Sequence, residues 1–358
     1  MMNGVDLGNI SVDTENLKSV SFEGTKNLCS VSSHIFRDSS IEVLSIGSAI
    51  KEFEVGWCEY ATKLNKIIVS NDNSRFSFIE EKFLLSKSDE NKHDFDILLF
   101  VSRNVDEIEI PAQIRSIAPY ALNDCKFLRK VTFTKNSELR SIGEYAFSST
   151  PIVTVEFPSG LIEIEKGAFY RCMNLKNVIF PENIKLKLIS NDLFSYSGIE
   201  NIAIPSNVIQ ICEKAFFHCK QLKTVTIPSD SKLEIIDIKT FSNSAIERIS
   251  LPNSIIKIED DAFSDCFNFK EIFAPLESNL RFIGNSTFSF SSLDTICIPS
   301  RLEEFGNGCF RGTKNLINIT ISPKNNRFHY CDNKLLLYKS EENLDNYNVL
   351  VLSACDKE

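Results

Sequence analysis

A single aromatic position constrains what this chain can become. From residue 122 onward the sequence places Leu122, Phe147, Phe169, Phe194, Phe216, Phe241, Phe263, Phe288 and Phe310 at steps alternating strictly between 25 and 22 residues. A coil of that length presents apolar side chains but is too short to enclose them. It is stable only when copies stack on either side. The residue before each ring is small or polar in most copies (Ala121, Ala146, Ala168, Ala215, Ala262, Thr240, Thr287 and Cys309, with Leu193 the departure), which suits a tight packing position.

Two kinds of coil take turns. Those around Leu122, Phe169, Phe216 and Phe263 carry Cys125, Cys172, Cys219 and Cys266 three residues on, whereas the coils between carry Thr150, Ser197, Ser244 and Ser291. Together they make a 47-residue super-period, marked again by Pro111, Pro158, Pro205, Pro252 and Pro299. Proline directly after a strand removes an amide donor and ends the ladder at a fixed point. Within a coil, PSNVIQICEKAFFHCKQLKTVTI from Pro205 to Ile227 spaces its apolar residues three or four apart up to Val225, then two apart. That shift in period predicts one short helical turn followed by one short strand.

Eleven cysteines are an odd number. The four in the repeats lie two coils apart, roughly 10 Å at one inter-strand spacing per coil, whereas disulfide Cα atoms must come within about 7 Å. They neither pair with one another nor form one metal site, and read as small buried thiols packed as hydrophobes.

The pattern begins before the regular array. Leu17, Val20 and Phe22 form a strand element, and Phe36 and Cys58 stand 22 residues apart with Trp57 beside the latter, so two degenerate coils occupy about 17–70. Residues 1–16 fit the template poorly and are expected to extend or cap it. Register is then lost over 71–104, resumes over 105–322, and is lost again over 323–358. The two interruptions are copies. Shifted by 252 residues without a gap, Arg75-Phe76 meets Arg327-Phe328, Phe83-Leu84-Leu85 meets Leu335-Leu336-Leu337, and Phe95 to Phe100 meets Tyr347 to Leu352. Each is expected to be a β-hairpin, roughly 82–101 and 334–353. The chain ends at Glu358, just before the point where the first copy re-enters the repeat, so the expectation is either a segment of a longer array or an array capped by its last hairpin.

The pattern I-P-x-x-hydrophobic-x-x-I-x-x-x-A-F-x-x-C-x-x-L-x-x-V-x-I-P, cleanest at Ile204 to Pro228, resembles the BspA type of leucine-rich repeat over about 17–69 and 105–322. The resemblance implies an α/β repeat: a right-handed leucine-rich-repeat solenoid whose L-x-x-V-x-I segment is a short parallel strand on one face, with β-hairpin inserts. It also implies a surface antigen adhering to host matrix or cell-surface proteins. The amino terminus, MMNGVDLGNISVD, has neither the basic segment nor the apolar core of a secretory signal. Cell-surface or secreted placement therefore stands beside a cytoplasmic alternative, in which the same face serves an intracellular scaffold.

If the strand alternates, Val178 and Phe180 point inward and their neighbours outward. One outward column is then Lys130, Thr154, Asn177, Asn201, Thr224, Arg248, Glu271, Thr295 and Asn318. The other is Thr132, Glu156, Ile179, Ala203, Thr226, Ser250, Phe273, Cys297 and Thr320. Such columns bind extended partners in repeat proteins, or are merely solvated. Ile179 and Phe273 favour contact, because apolar residues exposed on a polar sheet are typical anchors. The candidate protein-binding residues are therefore the first column with Ile179 and Phe273.

Enzymatic signatures are lacking: no Gly-rich phosphate loop, C-x-x-C, H-E-x-x-H or G-x-S-x-G occurs. His218 beside Cys219 cannot form a nucleophile pair if Cys219 points inward. No cofactor or metal is expected. A net charge of −9 argues against a nucleic-acid backbone partner, and no apolar run is long enough for a membrane span. Asn9, Asn285 and Asn318 begin glycosylation sequons.

Overall fold

The computed structural model describes residues 17–89, 91, 93–331, 335–340, 346–347 and 349–353. The expected cap over 1–16, the Asn9 sequon, residues 90 and 92 of the first expected hairpin and 334, 341–345 and 348 of the second lie outside them. Contacts divide the chain into two compact units, Met1–Leu175 and Lys176–Glu358, each a leucine-rich-repeat solenoid.

One coil of the second unit shows how the sequence is spent. After Pro205 a turn closes from the Val208 N–H to the Pro205 carbonyl at 3.0 Å, and Gln210–Ile211 forms a two-residue strand. Thr224–Thr226 then forms the expected strand. Between the two strands no helix forms; none is present among the described residues. Lys214 and His218 both have φ near 56°, in the left-handed region that ends a helix. The N–H groups of Lys214, Phe216 and His218 turn instead to the next coil, donating to the carbonyls of Ile238, Thr240 and Ser242 at 3.0, 2.9 and 3.0 Å. The expected helical turn is thus a third hydrogen-bonded column. The apolar spacing of three and four marks successive inward corners of a coil, a pattern that periodicity cannot separate from one helical turn.

Stacking builds two parallel sheets in the second unit. The face sheet runs Asn177–Ile179, Asn201–Ala203, Thr224–Thr226, Arg248–Ser250, Glu271–Phe273, Thr295–Ile298, Asn318–Ile321. The flank sheet runs Leu188–Ile189, Gln210–Ile211, Ile235–Ile236, Lys257–Ile258, Phe282–Ile283, Glu304–Phe305. Between them the fully buried rings of Phe194, Phe216, Phe241, Phe263 and Phe288 stack, with neighbouring centroids 5.3–5.9 Å apart. Phe328–Cys331, Leu335–Tyr338 and Val349–Ser353 follow as an antiparallel three-stranded sheet.

The first unit has the same parts around a mid-chain insert. Ser19–Ser21, Val43–Ile46 and Lys66–Val69 form a parallel face, and Ser30–Val31 pairs with Glu52–Phe53 on the flank. Phe76–Ile79, Phe83–Ser86 and Ile97–Val101 are antiparallel, one strand more than a hairpin. The outer edge of Ile97–Val101 then takes Ser116–Ile117 in parallel, followed by Ser141–Ile142 and Glu163–Ile164. The insert therefore seeds the flank sheet from which the regular coils resume.

Candidate binding face

The face strands position their side chains by simple alternation. In the second unit Val178, Ile202, Val225, Ile249, Ile272 and Ile296 are buried, and the residues on either side of each face outward. Strand pairing puts Asn177, Asn201, Thr224, Arg248, Glu271, Thr295 and Asn318 in one continuous register row. Five of them are exposed, while Glu271 and Thr295 are half-buried. In the second row Ala203 pairs with Thr226, Ser250 with Phe273, and Cys297 with Thr320. Ile179 and Phe273 are each 46% exposed. Phe180, expected to point fully inward, is half-buried where its strand gives way to Pro181.

Lys130, Thr132, Thr154 and Glu156 are likewise exposed, on the first unit. There Lys130 stands opposite Glu107, with Nζ 3.3 Å from Oε2, and Thr132 opposite Glu109. Both glutamates belong to this face and were missed in the sequence, because they precede the first regular ring position.

A further row went unread although its residues recur at the same steps. Immediately before the first six face strands of the second unit stand Lys176, Glu200, Lys223, Glu247, Lys270 and Asp294, alternating in sign, while Ile317 precedes the seventh. Successive members are joined through backbone bonds: Lys223 N–H to Glu200, Glu247 to Lys223, Lys270 to Glu247 and Asp294 to Lys270, at 2.8–3.3 Å. Lys176 Nζ lies 3.1 Å from Glu200 Oε1. The cation follows each cysteine coil and the anion each serine coil, so the rim of the face is electrically balanced coil by coil. On the face itself the Cys297 thiol pKa is pushed up by partial burial and by the Glu271 carboxylate.

No nucleophile is assembled at His218. The Cys219 thiol is buried, its pKa raised to about 11 by desolvation, and donates to the Phe194 carbonyl at 3.0 Å. The His218 imidazole stacks on Tyr196 at 4.8 Å, its pKa lowered chiefly by partial burial. Among the described residues no group of three or more His, Cys, Asp or Glu is placed to hold a metal ion, and no helix is long and apolar enough to cross a membrane. Of the sequons within the described residues, Asn318 is exposed on the face, whereas the Thr287 hydroxyl of the other is buried against the Gly284 carbonyl at 2.7 Å.

A leucine-rich repeat protein from Eubacterium ventriosum has a similar structure, with 19% identity, 88% of this chain and 68% of that chain covered, and a TM-score of 0.50. One from Bacteroides ovatus is 19% identical over 86% of this chain and 82% of its own, with a TM-score of 0.47. A leucine rich cell surface protein from Faecalibacterium prausnitzii is 17% identical over 83% of both, with a TM-score of 0.40. No curated protein matches the sequence. The sequence profile of the BspA type leucine rich repeat region matches residues 12–86, 97–223 and 187–317 in six copies. Coil length, the stacked rings and the paired parallel sheets agree with it, and the chain belongs to the BspA-type leucine-rich repeat family.

Proposed function

We propose that this chain is a non-enzymatic protein-binding module that lays an extended segment of a host matrix or cell-surface protein along the face sheet of its second unit. The observation that carries the reading is the register-locked outward row from Asn177 to Asn318, with Ile179 and Phe273 standing 46% exposed in a row beside it. Polar residues recurring about every 4.8 Å along the row offer hydrogen bonds to an extended chain laid across the strands, and the two apolar side chains supply desolvated anchors. Because the adjacent charge row is balanced, attraction is expected to be short-ranged and weakly dependent on salt.

The test is capture of proteins from host-surface extracts by immobilised chain, compared with a Glu271→Lys, Phe273→Ala double variant. At least tenfold weaker capture, with a melting temperature within about 2 °C of the parent, is the expected result. Equal capture by both proteins would remove the face from consideration.

One observation favours a second reading, an intracellular scaffold using the same face. The ten described cysteines are all free thiols, which suits a reducing compartment better than an extracellular one. Antibody staining of unpermeabilised cells separates the two: surface staining supports the first reading, and staining only after permeabilisation supports the second.

A further inference from the structure

Away from the face sheet, the turn column of the first unit carries a cavity of about 510 Å³ that runs past Tyr60, Tyr120, Tyr145 and Tyr170. Three of these tyrosines have left-handed backbones, with φ of 55°, 60° and 51° at Tyr60, Tyr120 and Tyr145. Bulky side chains are strained in that region. Where Tyr120 and Tyr145 stand, later coils carry Gly167, Asp192, Lys214, Lys239, Asp261, Ser286 and Gly308. The fold does not call for tyrosine there. Gly167 in turn is what admits the Tyr145 ring, since a Cβ at that position would collide with Tyr145 Cε1.

The rings form one aromatic wall. Tyr120 and Tyr145 stack at 5.6 Å, and Tyr145 meets Tyr170 edge to face at 6.0 Å. The floor is polar: Asn123 and Asp124 are buried, 3% and 4% exposed, with Asn123 Oδ1 held by the Tyr60 N–H at 3.3 Å and Asp124 paired with Lys126. The Tyr120 phenol pKa is pushed up to about 12 by burial first and the Glu59 carboxylate second, so its hydroxyl stays a hydrogen-bond donor. Two carboxylates, Glu59 and Asp124, are matched by two cations, Lys126 and Arg171, around the lining. The lining residues thus carry no net formal charge.

Aromatic walls, a mixed set of donors and acceptors and no net charge suit a neutral polyhydroxylated ring. The cavity spans four coils spaced about 4.8 Å apart, close to the advance of one sugar ring along a chain. We propose that this tyrosine-lined cavity binds a neutral linear oligosaccharide. It is separate from the protein-binding face and stands or falls independently of it.

The experiment presents the full chain with immobilised neutral oligosaccharides of two to six hexose or N-acetylhexosamine units, alongside sialylated and sulfated glycans and an arginine-rich peptide, and titrates the best binder by calorimetry. The variants are Tyr120→Asn and Tyr145→Asn, because asparagine accepts a left-handed backbone. Expected are binding of a neutral oligosaccharide, at least tenfold weaker binding by each variant, and melting temperatures equal to or above the parent's. Absence of neutral-glycan binding at millimolar concentration, binding only of charged probes, or equal binding by the variants overturns the proposal. Should the asparagine variants melt early, Tyr145→Phe, which keeps the ring stack, replaces them: weakened binding supports the proposal and unchanged binding overturns it.

Discussion

The alternation of cysteine with serine or threonine resolves, at three coil pairs, into a hydroxyl–thiol contact beside one carbonyl. The Phe147 carbonyl receives the Thr150 hydroxyl at 2.7 Å and the Cys172 thiol of the next coil at 3.1 Å, and the two side chains lie 3.4 Å apart. Ser197 and Cys219 repeat the contact at the Phe194 carbonyl, as do Ser244 and Cys266 at Phe241. Burial of these thiols was legible from their spacing, but their bonds were not, since spacing gives no acceptor. Burial raises the Cys172 and Cys219 pKa values from 9.0 to about 11 and that of Cys266 to about 12. Above pH 9 the unfolded chain releases these protons while the folded chain holds them, so the unfolded state binds fewer and stability falls with rising pH. The loss is about 1.4 kcal/mol per pH unit for each thiol until its folded pKa is reached. Urea midpoints between pH 8 and 10.5 should therefore drop steeply, and less steeply in a Cys172→Ala, Cys219→Ala, Cys266→Ala variant. The same slope in both proteins would show that the thiols are not the cause.

Among the elements, the two inserts show what a shifted self-comparison can and cannot reveal. Offset by 252 residues, Asn73 and Asn325 both fall where the chain leaves the coils. Asn73 Nδ2 donates to the Gly47 and Ile50 carbonyls at 2.8 and 3.0 Å, and its Oδ1 accepts from the Arg75 and Phe76 N–H groups at 2.9 and 3.0 Å. Asn325 does the same with Pro299, Leu302, Arg327 and Phe328. The central antiparallel pairing could be read from two apolar runs around a polar stretch. The additional strands Phe76–Ile79 and Phe328–Cys331 could not, because FSFI and FHYC are too short to show alternation. In the first unit Arg103, 1% exposed, secures the far end of the insert, donating to the Ala121, Val101 and Cys58 carbonyls at 2.9, 3.3 and 3.4 Å over the Phe100 ring. Asn73→Ala strands two buried carbonyls and two N–H groups, which at about 1–3 kcal/mol per unsatisfied group, partly relieved by water, predicts a loss of about 2–4 kcal/mol. Chemical denaturation measures it, and a change below about 0.5 kcal/mol would mean the staple is dispensable.

For the molecule as a whole, the unit of repetition is two coils, and the second unit allows this to be tested. Charge row and hydroxyl–thiol contact both alternate with the same parity. Deleting residues 206–252 joins Pro205 to Asn253 and removes 47 residues, leaving Glu200 beside Lys270 and Ser197 beside Cys266. Deleting residues 206–228 removes only 23, but sets Glu200 against Glu247 and Ser197 against Ser244. In a stack stabilised by nearest-neighbour interfaces, a longer deletion that preserves every interface type costs less than a shorter one that creates a mismatched interface. The mismatch combines a like-charge pair, worth tenths of a kcal/mol to about 1 kcal/mol, with loss of the thiol bond to the Phe194 carbonyl, which keeps the Ser197 N–H, about 0.5–1.5 kcal/mol. At about 2–4 °C per kcal/mol for a body the size of the second unit, the 23-residue deletion should melt at least about 2 °C below the 47-residue deletion. The reverse order of melting temperatures would make the single coil the structural unit and reduce the alternation of charge and thiol to an accident of sequence.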